Sequence, residues 1–107
     1  MPTPASDTRP NAPARPTHTV LELTVNNHPG VMSHVCGLFS RRAFNVDGIL
    51  CLPLAGTATS RIWLRVQEGE RLSQVESQLR KLHDVHEVRR HPPDHAVFDH
   101  LEGFFNA

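Results

Sequence analysis

The 107-residue sequence predicts an α+β domain of four strands and two helices, and three observations predict it. Apolar residues alternate in HTVLELTV and again in SRIWLRV, the period of a strand with one buried face. After Pro29, and in ERLSQVESQLRKL, they recur every three or four positions, the period of a helix lying on such a face. The stretches follow one another as strand, helix, strand, strand, helix, strand. That order closes as a split pair of βαβ units forming one antiparallel sheet, with both helices on one face.

The first strand begins at His18 and places Leu21, Leu23 and Val25 on one face. At NNHPGVM, Asn26 to Met32, the period changes. Pro29 suits the first position of a helix, where its missing N–H is no loss. Met32, Val35, Cys36, Phe39 and Ala43 then form its apolar stripe. A second strand is expected at about 46–52, with Ile49 and Cys51 pointing away from the helices. The third, SRIWLRV, turns Ile62, Leu64 and Val66 inward and sends Trp63 outward between Arg61 and Arg65. The small polar AGTATS before it is a hairpin turn. In the second helix Leu72, Val75, Leu79 and Leu82 make one stripe. A fourth strand near 85–90 is stopped by Pro92-Pro93. The fold expected over residues 18–91 is therefore ferredoxin-like, βαββαβ.

Residues 1–17 hold five of the nine prolines and almost no large apolar side chain, so they are expected to form a disordered leader. Residues 92–107 are a tail in which Val97, Phe98, Leu101, Phe104 and Phe105 share one face of a short amphipathic helix. Docking on its own domain and docking on another chain both remain open for it. The outer face of the sheet, partly apolar at Trp63, Ile49 and Cys51, also suggests a covering partner.

Charge and composition narrow the function. Eleven basic and eleven acidic residues leave no positive excess for nucleic acid. RNA-binding domains of this topology stack bases on several sheet aromatics, whereas Trp63 stands alone here. No apolar run is long enough for a membrane helix, and the N-terminus lacks the apolar centre of a secretory signal, so a cytoplasmic chain is expected. Cys36 and Cys51 lie in apolar segments without a CxxC pair and are expected to be buried free thiols. His83, His86, His91, His95 and His100 have no cysteine beside them to complete a zinc set. His34 and Cys36 face different ways on a helix, and no other nucleophile–base or paired-carboxylate pattern occurs. No catalytic or metal residue is expected.

The loop itself carries the functional signal. A helix start preceded by Pro and Gly presents unpaired N–H groups and partial positive charge, which receive a carboxylate. The Asn27 amide oxygen can accept from an ammonium group, and Gly30 lets a ligand approach the backbone closely. Together they suit a free amino acid; the same residues also make an ordinary turn.

The long stretch VLELTVNNHPGVMSHVCGLFSRRAFNVDGILCLPL, with the following SRIWL, resembles the small regulatory subunits of acetolactate synthase (acetohydroxyacid synthase), isozyme I type, an ACT-domain family. The resemblance covers about residues 20–90, with a weaker echo in the aromatic tail. It implies an ACT domain without catalysis or cofactors of its own. Its partner is the large catalytic subunit, which holds thiamine diphosphate, Mg²⁺ and FAD, and which it activates. Valine is the implied feedback ligand, bound where two copies pair. By the match Asn27, His28, Pro29, Gly30, Val31 and Met32 form the ligand loop, and Asn45, opening the second strand, is a second interface asparagine. Arg61, Trp63, Arg65, Phe98, Phe104 and Phe105 are the candidate contacts with the catalytic subunit. The competing expectations are an amino-acid-sensing ACT module of a different enzyme, and an interaction domain whose loop is only a turn.

Overall fold

The computed structural model describes residues 18–105, apart from the side chain of Glu102, so the leader expected at 1–17 lies outside the described residues. Its elements are β1 (His18–Asn26), α1 (Val31–Arg41), β2 (Val46–Pro53), β3 (Thr59–Gln67), α2 (Leu72–Arg80) and β4 (Val85–His91). A 3₁₀ turn (Ala96–Phe98) and a four-residue α3 (Glu102–Phe105) follow. The sheet order is β2-β3-β1-β4 with every neighbouring pair antiparallel, the ferredoxin-like arrangement.

Periodicity explains the core. Leu21, Leu23 and Val25 of β1 sit in register with Leu64, Ile62 and Ser60 of β3, and α1 and α2 cover that face with Val31, Val35, Leu38, Phe39, Leu72, Val75 and Leu79. Each such aliphatic side chain contributes about 1.5–3 kcal/mol on burial. Leu82 and Met32 pack at the margin.

Helix α1 starts two residues later than Pro29, because Gly30 takes φ 94° and serves as its N-cap. The buried face is then Val31, Val35, Leu38 and Phe39, four positions at helical spacing. Cys36 falls on the flank and is exposed, as is Cys51, so the expectation of buried thiols is overturned, although both are free. At the other end Phe44 N–H reaches Phe39 O (2.9 Å) and Ala43 N–H reaches Ser40 O (3.0 Å), closing the helix with Ala43 at φ 54°.

A second correction concerns β2. Val46 pairs with Val66, but Gly48 pairs with Arg65, so Asp47 is an extra residue in the strand. A bulge of one residue moves every later side chain to the opposite face. Ile49 and Cys51 consequently stand opposite Leu64 and Ile62 on the helix side, and Gly48, Leu50 and Leu52 take the outer face. Plain alternation from Val46 gives the reverse.

The tail forms no single amphipathic helix. Asp99 is extended and His100 has φ 70°, which breaks the chain direction between the 3₁₀ turn and α3. It lies across the outer face of its own sheet, with Phe98 buried.

Candidate functional site

The β1–α1 loop is fastened from below. Asn27 N–H donates to Ala58 O at 2.9 Å, and Asn26 N–H donates to Asp84 O at 2.8 Å. The Asn26 side-chain nitrogen donates to Asp84 Oδ1 at 3.0 Å, while its oxygen lies 2.6 Å from His86 Nε2. His86 is free to reach it because the β1–β4 register shifts there, pairing Thr24 with Glu87 and Val25 with Val85. His28 Nε2 stands 2.7 Å from Asp84 Oδ2, and its Nδ1 is 2.5 Å from Pro29 O. Both ring nitrogens thus face acceptors, an arrangement satisfied only when both carry protons. The Pro29 carbonyl first, and the Asp84 carboxylate next, raise the His28 pKa above its usual value. The Asn26 amide and then His28 lower that of Asp84.

Above this clasp the ligand loop is open. Val31 N–H turns back to His28 O and His34 N–H to Gly30 O, so the Met32 and Ser33 amides precede the helical ladder. Among the described residues the Asn27 side-chain amide has no hydrogen-bond partner, and no atom lies within 4 Å of a Cβ built on Gly30. Val31, by contrast, is 4% exposed, so its side chain belongs to the core and only its backbone faces the loop.

Asn45 lies elsewhere. Its side chain donates to Asp47 Oδ1, and Asp47 Oδ2 meets His18 Nε2 at 2.7 Å, which fixes it beside the start of β1. Register puts Asn26 beside Thr59 and Val46 beside Val66. Those are opposite ends of β3, about 23 Å apart at roughly 3.3 Å per residue. One chain does not bring Asn27 and Asn45 together.

The outer-face residues do gather. Arg61 is 3.1 Å from Glu22, which also meets His91 Nε2 at 2.8 Å. The rings of Trp63 and His95 lie 4.9 Å apart, those of Trp63 and His91 5.5 Å, and those of His91 and His95 4.6 Å. His95 Nδ1 accepts Val97 N–H at 3.1 Å, so its ring proton is on Nε2 and the 3₁₀ turn is capped. The Arg65 guanidinium stands 5.4 Å from the Phe98 ring centre. Phe98 therefore packs on its own sheet, whereas Phe104 and Phe105 are 80% and 84% exposed. With Leu52 (72%) and Ile49 (38%) they concentrate exposed apolar surface near the β2 edge. Sequence reasoning missed Asp84 and His86, whose roles depend on contacts 56–60 residues away from the loop; the polar HDVH run was their only trace.

A ferredoxin-like sheet with a glycine-led helix after its first strand is compatible with an ACT domain, and the family match makes that assignment. Residues 21–87 match the family described as AHAS small subunit-like ACT domain, and the chain belongs to the acetolactate synthase small-subunit family. It is 56% identical over 88 residues to the acetolactate synthase isozyme 1 small subunit of Escherichia coli K12, covering 82% of this chain and 92% of that one. It is 39% identical to the acetolactate synthase small subunit of Haemophilus influenzae over 64% of this chain and 43% of that protein. Among solved structures, the acetolactate synthase small subunit of Thermotoga maritima superposes with a TM-score of 0.62 at 32% identity, over 68% of this chain and 46% of that one. The regulatory subunit of aspartate kinase from Thermus thermophilus shares the fold (TM-score 0.56, 21% identity, 73% of this chain and 52% of that one). No helix among the described residues is long and apolar enough to cross a membrane.

Proposed function

We propose that this chain is a non-catalytic regulatory subunit that activates the catalytic subunit of acetolactate synthase and binds valine, through which branched-chain amino-acid synthesis is inhibited by its product. Family membership supports the class. The observation that carries the site is the separation of Asn27 and Asn45 along the sheet. β2 is an edge strand, and its outward backbone groups are open to another strand. An antiparallel β2 from a second copy sets its own start beside this chain's β2 end. That brings Asn45 of the second copy to the Asn27 loop, and two-fold symmetry makes two equivalent sites.

In such a site the Met32 and Ser33 amides, at the positive end of α1, receive the carboxylate. The Asn27 amide oxygen accepts from the ammonium group, and half-buried Met32 meets the side chain. His28 and Pro29 shape the entrance, and Gly30 keeps it clear. Thiamine diphosphate, Mg²⁺ and FAD belong in this reading to the catalytic subunit; the chain's own task is in the cytoplasm, as a homodimer that holds a ligand and a partner. Valine between two copies favours one arrangement of their sheets, and inhibition follows if the catalytic subunit needs another. Coupling energies of this kind are about 1–3 kcal/mol, or roughly 5- to 150-fold in affinity.

The test is activity of the reconstituted pair against valine concentration, with wild-type and Asn45→Ala subunits. Asn45→Ala is expected to relieve inhibition while activation without valine persists. Superimposed curves would remove Asn45 from the site.

A further inference from the structure

We propose that Asp84 is a positioning residue for the ligand loop: through His28 it sets the Pro29–Gly30 entry to α1, and so makes amino-acid binding depend on the protonation of His28. This deepens the ligand site proposed above and rests on it.

Asp84 lies in the turn between α2 and β4, far from the loop in sequence, yet it reaches both Asn26 and His28 at the loop's base. Its backbone carbonyl takes Asn26 N–H at 2.8 Å, and one carboxylate oxygen takes the Asn26 side chain at 3.0 Å. The other oxygen stands 2.7 Å from His28 Nε2. The second face of the His28 ring is closed by the carbonyl of Pro29, at 2.5 Å. The imidazole therefore bridges a fixed carboxylate and the peptide that leads directly into Gly30. With Gly30 at φ 94°, the direction of that peptide decides where the next amides point. Asp84 touches no ligand atom in this scheme; it acts through His28.

The bridge needs two donors on one ring, so it exists with His28 as imidazolium. The other charged or titratable groups around it are few. His34, from α1, places Nδ1 4.0 Å from Asp84 Oδ2. His83 adjoins Asp84 in the same turn and adds a favourable charge, and His86, from β4, acts on Asn26. Of these, His83 adds to the lowering of the Asp84 pKa.

The sign of the pH dependence follows. The His28 pKa is raised, so the bridge is complete below the ordinary histidine value and is lost as pH rises through the raised one. The Asp84 pKa is lowered, so its contribution persists above the ordinary aspartate value and is lost only as pH falls through the depressed one. At pH values between the ordinary aspartate and ordinary histidine ranges the bridge is intact. Above that it opens, while a free amino acid still keeps both of its charges.

Valine titrations of the full-length chain between about pH 6 and pH 8.5 test this, in wild type, Asp84→Asn and His28→Gln. Wild type should lose about three- to tenfold in affinity across the range, the loss expected when one such hydrogen bond goes. Asp84→Asn should start weaker at low pH, and His28→Gln should be flat. The His28 ring titration, followed by NMR without ligand, should move to lower pH in Asp84→Asn, a shift that a purely structural role for Asp84 does not require. Wild-type binding with an unchanged affinity and pH profile in both variants overturns the positioning role alone. An unshifted His28 titration in Asp84→Asn also overturns it. Absence of any valine binding by wild type overturns the ligand site itself, and this inference falls with it.

Discussion

The two faces of the sheet are built on different physics. On the helix side, Leu21, Leu23, Ile62 and Leu64 are fully buried under two helices, and their contribution is area removed from water. On the outer side, Glu22 is also buried, but among Arg61, His91 and a stack of rings ending in the tail. There the contribution comes from hydrogen bonds, ring contacts and one buried phenylalanine. The first face tolerates little loss of volume and no charge. The second is assembled from polar and charged groups paired one to another.

Substitutions rank the two faces. Leu64→Ala, at the centre of β3, is expected to cost about 2–5 kcal/mol in chemical denaturation, the range for a large-to-small change in a packed core. A cost under 1 kcal/mol would mean that the helix face is not the chain's main core. Glu22→Ala comes next. It removes the acceptor shared by Arg61 and His91, both of which are partly solvated, so roughly 2 kcal/mol is expected rather than the full cost of a stranded buried charge. Phe98→Ala should cost about 1–2 kcal/mol, below the range for a phenylalanine in a packed core because its ring rests on Gly48 and Arg65 at the sheet surface, and it should alter Trp63 fluorescence as the tail loosens. Unchanged fluorescence would place the tail away from Trp63.

The same contrast explains what could be read beforehand. The order of elements, the stripes of α2 and β3 and the buried face of β1 follow from periodicity alone, because burial in a layered fold obeys the period of the element. Ile49 and Cys51 went to the wrong face because one bulged residue, Asp47, is invisible in a pattern that alternates on both sides of it. Cys36 misled because a helix stripe is wider than the face its neighbours cover, and the flank carrying Cys36 is left open by this chain. At the site, Asn27 and Gly30 were legible as a helix start. Asp84, His86 and the His95 stack were not, since contacts between distant polar residues leave no local period.

The smallest expected effect is the most diagnostic of the outer face. Gly48 sits opposite Arg65 just past the bulge, and a Cβ there would stand 3.0 Å from Phe98 Cε1. That is closer than carbon atoms rest, so the ring must move by a few tenths of an ångström. Against this, alanine lowers the backbone entropy of the unfolded chain by an amount worth about 0.4–1 kcal/mol in favour of folding. The two nearly cancel, and Gly48→Ala should change stability by less than about 1 kcal/mol in the wild-type background. In Phe98→Ala the clash is gone and only the entropic gain remains, so there Gly48→Ala should stabilise. The coupling between the two substitutions should thus be about 0.5–1 kcal/mol, in the range seen for residues in direct contact. Additive effects would mean that Phe98 does not rest on Gly48, and that the tail is held to the outer face by the His95 stack and the Arg65–Phe98 contact.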